Sequence, residues 1–353
     1  YDDPETFTLS LPTTVDGYHP DVREYMENTY ASEISVRQPY VCETQDVDLV
    51  GTNALPISDN GFIFENVLQS DRRLSTSGLI SLAQGQLPVK NRYRTSRSVK
   101  QIDTALSLVG PWNYNYVHWF QDYLGRLEGL EYYRNQTDID PKLIIPADAS
   151  DWMLDALRAM GYGSEWWVSW SGGRMTVDTF ITSAVRRENR DPDLSRRLLY
   201  SPTAFRWIRN RILDNIGLEQ TRPHVERIFI SRENATVRQL RNEDELMDLL
   251  SEWGFERYHP EDMSFAEQVT LFSEAEAIIS THGSGLLNQI WADNATVIEI
   301  FGPKHSITDP AIEYYIADLF NHNYGCVQGD TVGVDTQVEI DDVELLLKMM
   351  LKS

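Results

Sequence analysis

Apolar and polar positions alternate most clearly over residues 226–303 of this 353-residue chain. Short apolar runs of strand length recur there, separated by stretches with helical spacing. Arg227–Ser231 reads as a strand. Asn242, with Glu245 three residues on, marks a helix start, and Leu246, Leu249 and Leu250 give that helix an apolar face. Phe255–His259 reads as a second strand. Ser264 and Glu267 form a capping box ahead of a helix to about Ser273, and Ala277–Ile279 begins a third strand. A tight glycine turn, His282-Gly283-Ser284-Gly285, and a short helix-like segment lead to a fourth apolar run, Ala295–Phe301, which carries one carboxylate, Glu299. This β-α-β-α-β-α-β series predicts an α/β fold with a parallel, Rossmann-like sheet. Ligands of such sheets bind beyond the carboxyl ends of the strands. Ser231-Arg232, His282-Gly283 and Glu299 fall at or near those ends.

The pattern upstream is less regular. Residues 1–100 are rich in turn residues and short β-like runs. Residues 114–134 have helical periodicity. Lys142–Pro146, Trp166–Trp170 and Met175–Ser183 read as strands, and Asp151–Met160 as a helix. Ser201 caps a further helix with Pro202 at its first position, running to about Ile216. Val343–Leu351 is an amphipathic tail helix. These elements predict an N-terminal domain over 1–200, irregular and β-rich up to residue 100. A nucleotide-binding domain follows over 201–330, then a helical tail over 331–353.

The glycine turn is where chemistry is expected. Glycines between strand and helix let backbone approach a ligand and aim free N–H groups at it. A helix N-terminus adds partial positive charge, so phosphate is its natural guest. A dinucleotide fingerprint would have a third glycine where Asn288 stands. A serine-hydrolase elbow would have glycine in place of His282. No P-loop lysine follows. The plain alternative is that Gly283 and Gly285 only permit a tight turn.

Composition narrows the field. Hydrophobic residues make up 41%, and Asp plus Glu outnumber Lys plus Arg by 54 to 31, for a formal net charge of −23. Six lysines stand against 25 arginines. Such a surface repels nucleic acid and anionic membranes. It reads as adaptation to high salt, of the kind haloarchaeal proteins carry, against the plainer reading of an acidic mesophilic protein. No apolar run reaches the roughly 18 residues that span a bilayer, so a cytoplasmic location is expected, with peripheral association at the membrane face left open. The first residue is Tyr1, which leaves room for a removed leader or anchor. Cys42 and Cys326 are far apart and make no metal or redox spacing, whether free or paired.

A second constellation lies at 113–127. On a helix, His118, Asp122 and Arg126 are spaced four apart and share one face, flanked by Trp119, Phe120, Tyr123, Leu124 and Leu127. One reading is a surface ion-pair ladder. The other gives Asp122 a general base's role, with His118 and Arg126 orienting it.

Three segments together resemble glycosyltransferase family 61: NYVHWFQDYLGRL at 115–127, RIFISRENATVRQLRNEDEL at 227–246, and FAEQVTLFSEAEAIISTHGSGLLNQIWADNATVIEIF at 265–301. Ser284 departs from the alanine more usual in that family. The resemblance implies a GT-B fold, two Rossmann-like domains facing a cleft with the donor on the C-terminal one. It implies an inverting transfer of sugar from a nucleotide-diphosphate donor, UDP-linked, to a hydroxyl of a glycan or lipid-linked oligosaccharide. Carried over position by position, His282, Gly283, Ser284, Gly285 and Asn288 meet the diphosphate, Arg232 pairs with the same phosphates, Glu299 holds the ribose, and Asp122 with His118 serves as catalytic base. No metal and no further cofactor are implied. The acidic triplets 138–140 and 191–193 are then chance features of an acidic chain. A catalytically silent sugar-nucleotide binder and a sugar epimerase of the same fold remain alternatives.

Overall fold

The computed structural model describes residues 1–12, 33–59, 61–63, 100–186, 199–217, 225–302 and 308–351, with a few single positions between 14 and 65. The triplet at 191–193 lies outside them. The chain divides into two compact units. One comprises Tyr1–Glu5, Val36–Arg187 and Thr203–Arg211, the other Thr6–Ser35, Glu188–Pro202 and Ile212–Ser353. Strands β1 (Glu5–Phe7) and β2 (Ile34–Val36) form a small pair.

The first unit is built on a seven-stranded sheet. Its strands are β3 (Val41–Val50), β4 (Leu55–Ser58), β5 (Gly61–Phe62), β6 (Lys100–Ser107), β7 (Lys142–Pro146), β8 (Trp167–Trp170) and β9 (Arg174–Ser183), in the order β5-β4-β3-β9-β6-β7-β8. From β9 to β8 the neighbours run parallel, while β9-β3, β3-β4 and β4-β5 are antiparallel. The sheet is therefore mixed, with a parallel half from β9 to β8 and an antiparallel half from β9 to β5. Hairpin-type strands add to one edge what crossovers build on the other. Val47, Leu49, Ala105, Ile144, Val177 and Phe180 belong to its core.

The segment expected as one helix over 114–134 has three parts. A turn of α-helix, α1 (Tyr116–His118), is capped by the Asn115 side chain accepting from His118 N. A π-helical stretch, Trp119–Leu124, follows, and then α2 (Arg126–Thr137). α2 lies close against the sheet, because a β-carbon at Gly129 would run into the Ser183 hydroxyl on β9. Helices α3 (Asp151–Ala159) and α4 (Pro202–Ile216) fall where the periodicity places them.

The second unit holds a five-stranded, wholly parallel sheet: β10 (Arg227–Ile230), β11 (Glu256–Tyr258), β12 (Ala277–Thr281), β13 (Thr296–Phe301) and β14 (Asn323–Gln328), ordered β11-β10-β12-β13-β14. β12 and β13 are buried at every residue, as strands covered on both faces are. The connections carry α5 (Glu243–Glu252), α6 (Phe265–Ser273), a 3₁₀ helix (Ser284–Trp291) and α7 (Thr308–Leu319), and α8 (Ile340–Met350) ends the chain. Leu246 and Leu250 of α5 and Val343, Leu346 and Leu347 of α8 share one core with Phe229, Ile279, Ile298 and Val327 of the sheet. β15 (Asp330–Val332) and β16 (Asp335–Gln337) make an antiparallel hairpin.

The capping box of Ser264 and Glu267 is present. Asn242 stands at the N-cap position of α5 and reaches Glu245 Oε2 at 3.3 Å, but its side chain makes no capping bond to the helix backbone. Its side-chain amide exchanges hydrogen bonds with the Val338 backbone, at 2.8 and 3.1 Å, and so ties the start of α5 to the chain just after β16. Among the described residues no helix is long and apolar enough to cross a membrane. Cys42 is exposed and Cys326 is buried.

Candidate functional site

Numbered within the second unit, the parallel strands run 2-1-3-4-5, so the winding reverses between β10 and β12. At such a switch point two adjacent loops diverge to opposite faces and leave a crevice beyond the strand ends. A pocket of about 300 Å³ lies there, lined by Ile230, Ser231, Arg232, Asn234, Ala235, Pro260, Glu261, Ser280 and Gly285. These come from the carboxyl end of β10, the turn after β11, and β12 with the turn that follows.

Arg232 is the cation of this pocket. Its half-buried guanidinium lies against Gly283, with Cζ 3.0 Å from where a β-carbon of residue 283 would stand and Nη1 closer still. The Gly283 backbone is extended, at φ 163° and ψ 173°, which any residue adopts. Glycine is required here for the close approach of arginine, not for a turn. Nη2 donates to Val237 O at 3.4 Å, while Nε is buried with no hydrogen-bond partner among the described residues. Burial, and then the neighbouring Arg238, push the pKa below the ordinary arginine value, with Glu261 pulling the other way. A cation held partly out of water in a chain of net charge −23 is poised for an anionic guest. Gly285 is under less constraint, since a β-carbon there would make ordinary contact with Ile230 Cγ2 at 3.7 Å.

Beside the pocket, His282 Nδ1 meets Glu299 Oε1 at 2.5 Å. Tyr324, on β14, donates its hydroxyl to Glu299 Oε2. Glu299 is fully buried with both oxygens engaged in this way. Its carboxylate holds the His282 ring, and Glu299 is not among the residues lining the pocket. Asn288 is likewise buried, bonded to Gln268 Oε1 at 3.2 Å and to Trp291 Nε1 at 2.9 Å, where it joins the 3₁₀ helix to α6. Ser284 opens that 3₁₀ helix. Ser231 donates to buried Glu243 at 2.6 Å, and burial raises that carboxyl's pKa.

Sequence reasoning missed Asn234, Ala235, Pro260, Glu261 and Ser280 as pocket residues, and Tyr324 as the partner of Glu299. Glu261 carried a usable signal, for it follows the second strand of the alternating series, beside the switch point.

The first unit holds its own constellation. His118 Nδ1 lies 2.8 Å from Asp122 Oδ2. The Asp122 side chain is 0% exposed and that of His118 17%. Arg126 is buried too, donating to Ser107 O at 3.4 Å with its guanidinium 5.0 Å from the Tyr123 ring centroid. The reading as a surface ladder is thereby overturned. Trp112 stacks on the His118 ring, with centroids 6.0 Å apart and planes 27° apart. Asp122 sits within the π-helical stretch, a device common at functional sites. The carboxylate lies behind, and the imidazole reaches the surface.

A family model described as Glycosyltransferase 61 matches residues 116–298, which span the His118–Asp122 pair, the Arg232 loop and the His282–Gly285 turn. No curated protein matches the chain. With more than half of its length matched, the chain belongs to the glycosyltransferase 61 family.

Proposed function

We propose that this chain moves a sugar from a nucleotide-diphosphate donor, a UDP-sugar, to a hydroxyl of a glycan or lipid-linked oligosaccharide, inverting the anomeric centre without a metal. The observation that carries this reading is the Arg232 guanidinium laid against Gly283 at the switch-point pocket. The diphosphate takes its place on Arg232 and the backbone around Gly283 and Gly285. Negative charge develops there as the anomeric carbon–oxygen bond breaks, and a preorganised arginine stabilises it most at that moment. His282, oriented by Glu299, and Ser284 flank the same turn.

The proton of the attacking hydroxyl goes to the His118–Asp122 pair. Asp122 is buried and holds the Nδ1 hydrogen, which leaves Nε2 of the more exposed imidazole as the proton acceptor. His118 thus takes the base's role, and Asp122 fixes its tautomer, a reversal of the division the sequence suggested. One displacement by the acceptor oxygen, in line with the departing phosphate, gives inversion. In this reading the two units are the two domains of a GT-B fold, acting at the cytoplasmic face of a membrane in a high-salt cell.

The test is turnover. UDP-, GDP-, ADP- and dTDP-sugars are incubated in molar KCl with oligosaccharide acceptors, and released nucleoside diphosphate is followed with and without acceptor. Acceptor-dependent release supports the reading. Tight binding of a sugar nucleotide with no release, or epimer formation without acceptor, would replace it.

A further inference from the structure

Among the described residues, Glu261 is the one carboxylate lining the pocket, opposite in charge to Arg232. It lies in a short 3₁₀ turn, Pro260–Asp262, directly after β11, the second strand of the 2-1-3-4-5 order. Asn234, from the loop after β10, donates its side-chain amide to Glu261 Oε1 at 2.9 Å. Two neighbouring loops on the β10 side of the switch point, after β10 and after β11, are thus clamped together by this bond, and the carboxylate is held in place on the pocket wall. It is also near enough to Arg232 to raise that group's pKa against the effect of burial.

The pocket lining thus carries both a cation and a carboxylate. A diphosphate cannot rest on a carboxylate, since like charges repel, so its place is at Arg232 and Gly283. A neighbouring group that donates hydrogen bonds is what a fixed carboxylate accepts. Adjacent hydroxyls on one ring offer two such donors to one carboxylate, as ribose does in other doubly wound sheets, where an acidic side chain beyond the second strand takes this part. Glu299, the other acidic candidate, is buried and committed to His282 and Tyr324.

We infer that Glu261, held by Asn234, is the subsite that reads the ribose diol of a nucleoside diphosphate whose phosphates lie on Arg232. The inference rests on the donor-site reading above and deepens it by fixing the direction in which the nucleotide lies.

The experiment is isothermal titration of wild type, Glu261→Gln, Asn234→Ala and Arg232→Ala in molar KCl. The probes are UDP, GDP and ADP, their 2′-deoxy and 3′-deoxy forms, and inorganic pyrophosphate. For the ribonucleotide that wild type binds best, Glu261→Gln should weaken binding about tenfold or more, the loss of hydrogen bonds to a charged group. Pyrophosphate affinity should stay within about twofold, and Asn234→Ala should reproduce part of the selective loss. At least one deoxy form should bind wild type more weakly and lose little further on Glu261→Gln, because the contact is already gone. Arg232→Ala should weaken pyrophosphate and nucleotide together. Unchanged ribonucleotide affinity in Glu261→Gln, equal loss for pyrophosphate, or full-strength binding of both deoxy forms would overturn the assignment. Failure of wild type to bind any nucleotide or pyrophosphate would overturn the donor-site reading itself. That outcome is distinct, because Glu261 then has no ligand to discriminate.

Discussion

Arg232 occupies the space that a β-carbon at Gly283 would need. The two residues come from different loops, after β10 and after β12, on either side of the point where the sheet reverses its winding, and Arg232 lines the pocket there. A small residue at 283 is therefore a condition for where the cation sits.

Gly283→Ala should displace the guanidinium and weaken pyrophosphate and nucleoside diphosphate binding by about 1.5–3 kcal/mol, the range for a hydrogen bond to a charged group. The fold should barely change, because the extended backbone at 283 accepts any residue. Gly285→Ala makes only ordinary contact with Ile230 and should cost much less. Calorimetric titration with melting curves checks both, and equal losses at the two glycines would refute the close-approach argument.

Arg232→Lys keeps the charge and loses the planar fork, so it should recover only part of the affinity that Arg232→Ala loses. Full recovery by lysine would mean that the site reads charge alone. The readout is pyrophosphate affinity at fixed KCl, since added salt screens the term being measured.

Glu299→Gln should act through stability and geometry. Burying a carboxylate is tolerated because His282 and Tyr324 satisfy it, and an amide in its place must offer a donor toward one of them. A loss of about 1–3 kcal/mol in unfolding free energy is expected from this mismatch. Nucleotide and pyrophosphate binding should weaken together if His282 reorients. A selective loss for the nucleotide would restore Glu299 to the ribose.

Net charge sets a further expectation. At −23, self-repulsion opposes the compact state, and salt screens it. The melting temperature should rise from low salt to molar KCl. A flat or falling curve would remove the high-salt reading.

How much of this was legible in the chain follows from the range of the forces involved. The strands and helices of the second unit stand in local periodicity, and the Ser264–Glu267 box is a contact within one turn. Asn242 showed the same local signal and stands at the N-cap, but its side chain bonds the backbone of Val338, 96 residues away, in place of the helix backbone. The burial of Glu299 depends on Tyr324 from a fifth strand that the sequence pattern did not reveal. The π-helical stretch was invisible for another reason: an apolar stripe spaced for 3.6 residues per turn looks the same until one turn is widened. That widening occurs at Asp122.

The division of labour between Asp122 and His118 is the sharpest prediction. Both belong to one hydrogen-bonded pair, and their exposures differ, at 0% and 17% of the side chain. If His118 accepts the proton, His118→Ala removes the acceptor and should lower kcat by about 10²–10⁴, the usual contribution of general-base catalysis. Asp122→Asn keeps the shape and can offer an amide hydrogen to Nδ1, which favours the tautomer with its proton on Nε2. That tautomer cannot take the acceptor's proton, so turnover should fall comparably, as when a buried carboxylate that fixes a histidine is neutralised. Donor affinity should be nearly unchanged in both. The double variant should be little worse than either single one, because the residues act as one unit. If Asp122 were itself the base, His118→Ala would retain most activity while Asp122→Asn lost it. Measuring kcat for the three variants beside a nucleotide titration separates these cases, and loss of nucleotide binding in step with activity would mean that the pair is structural.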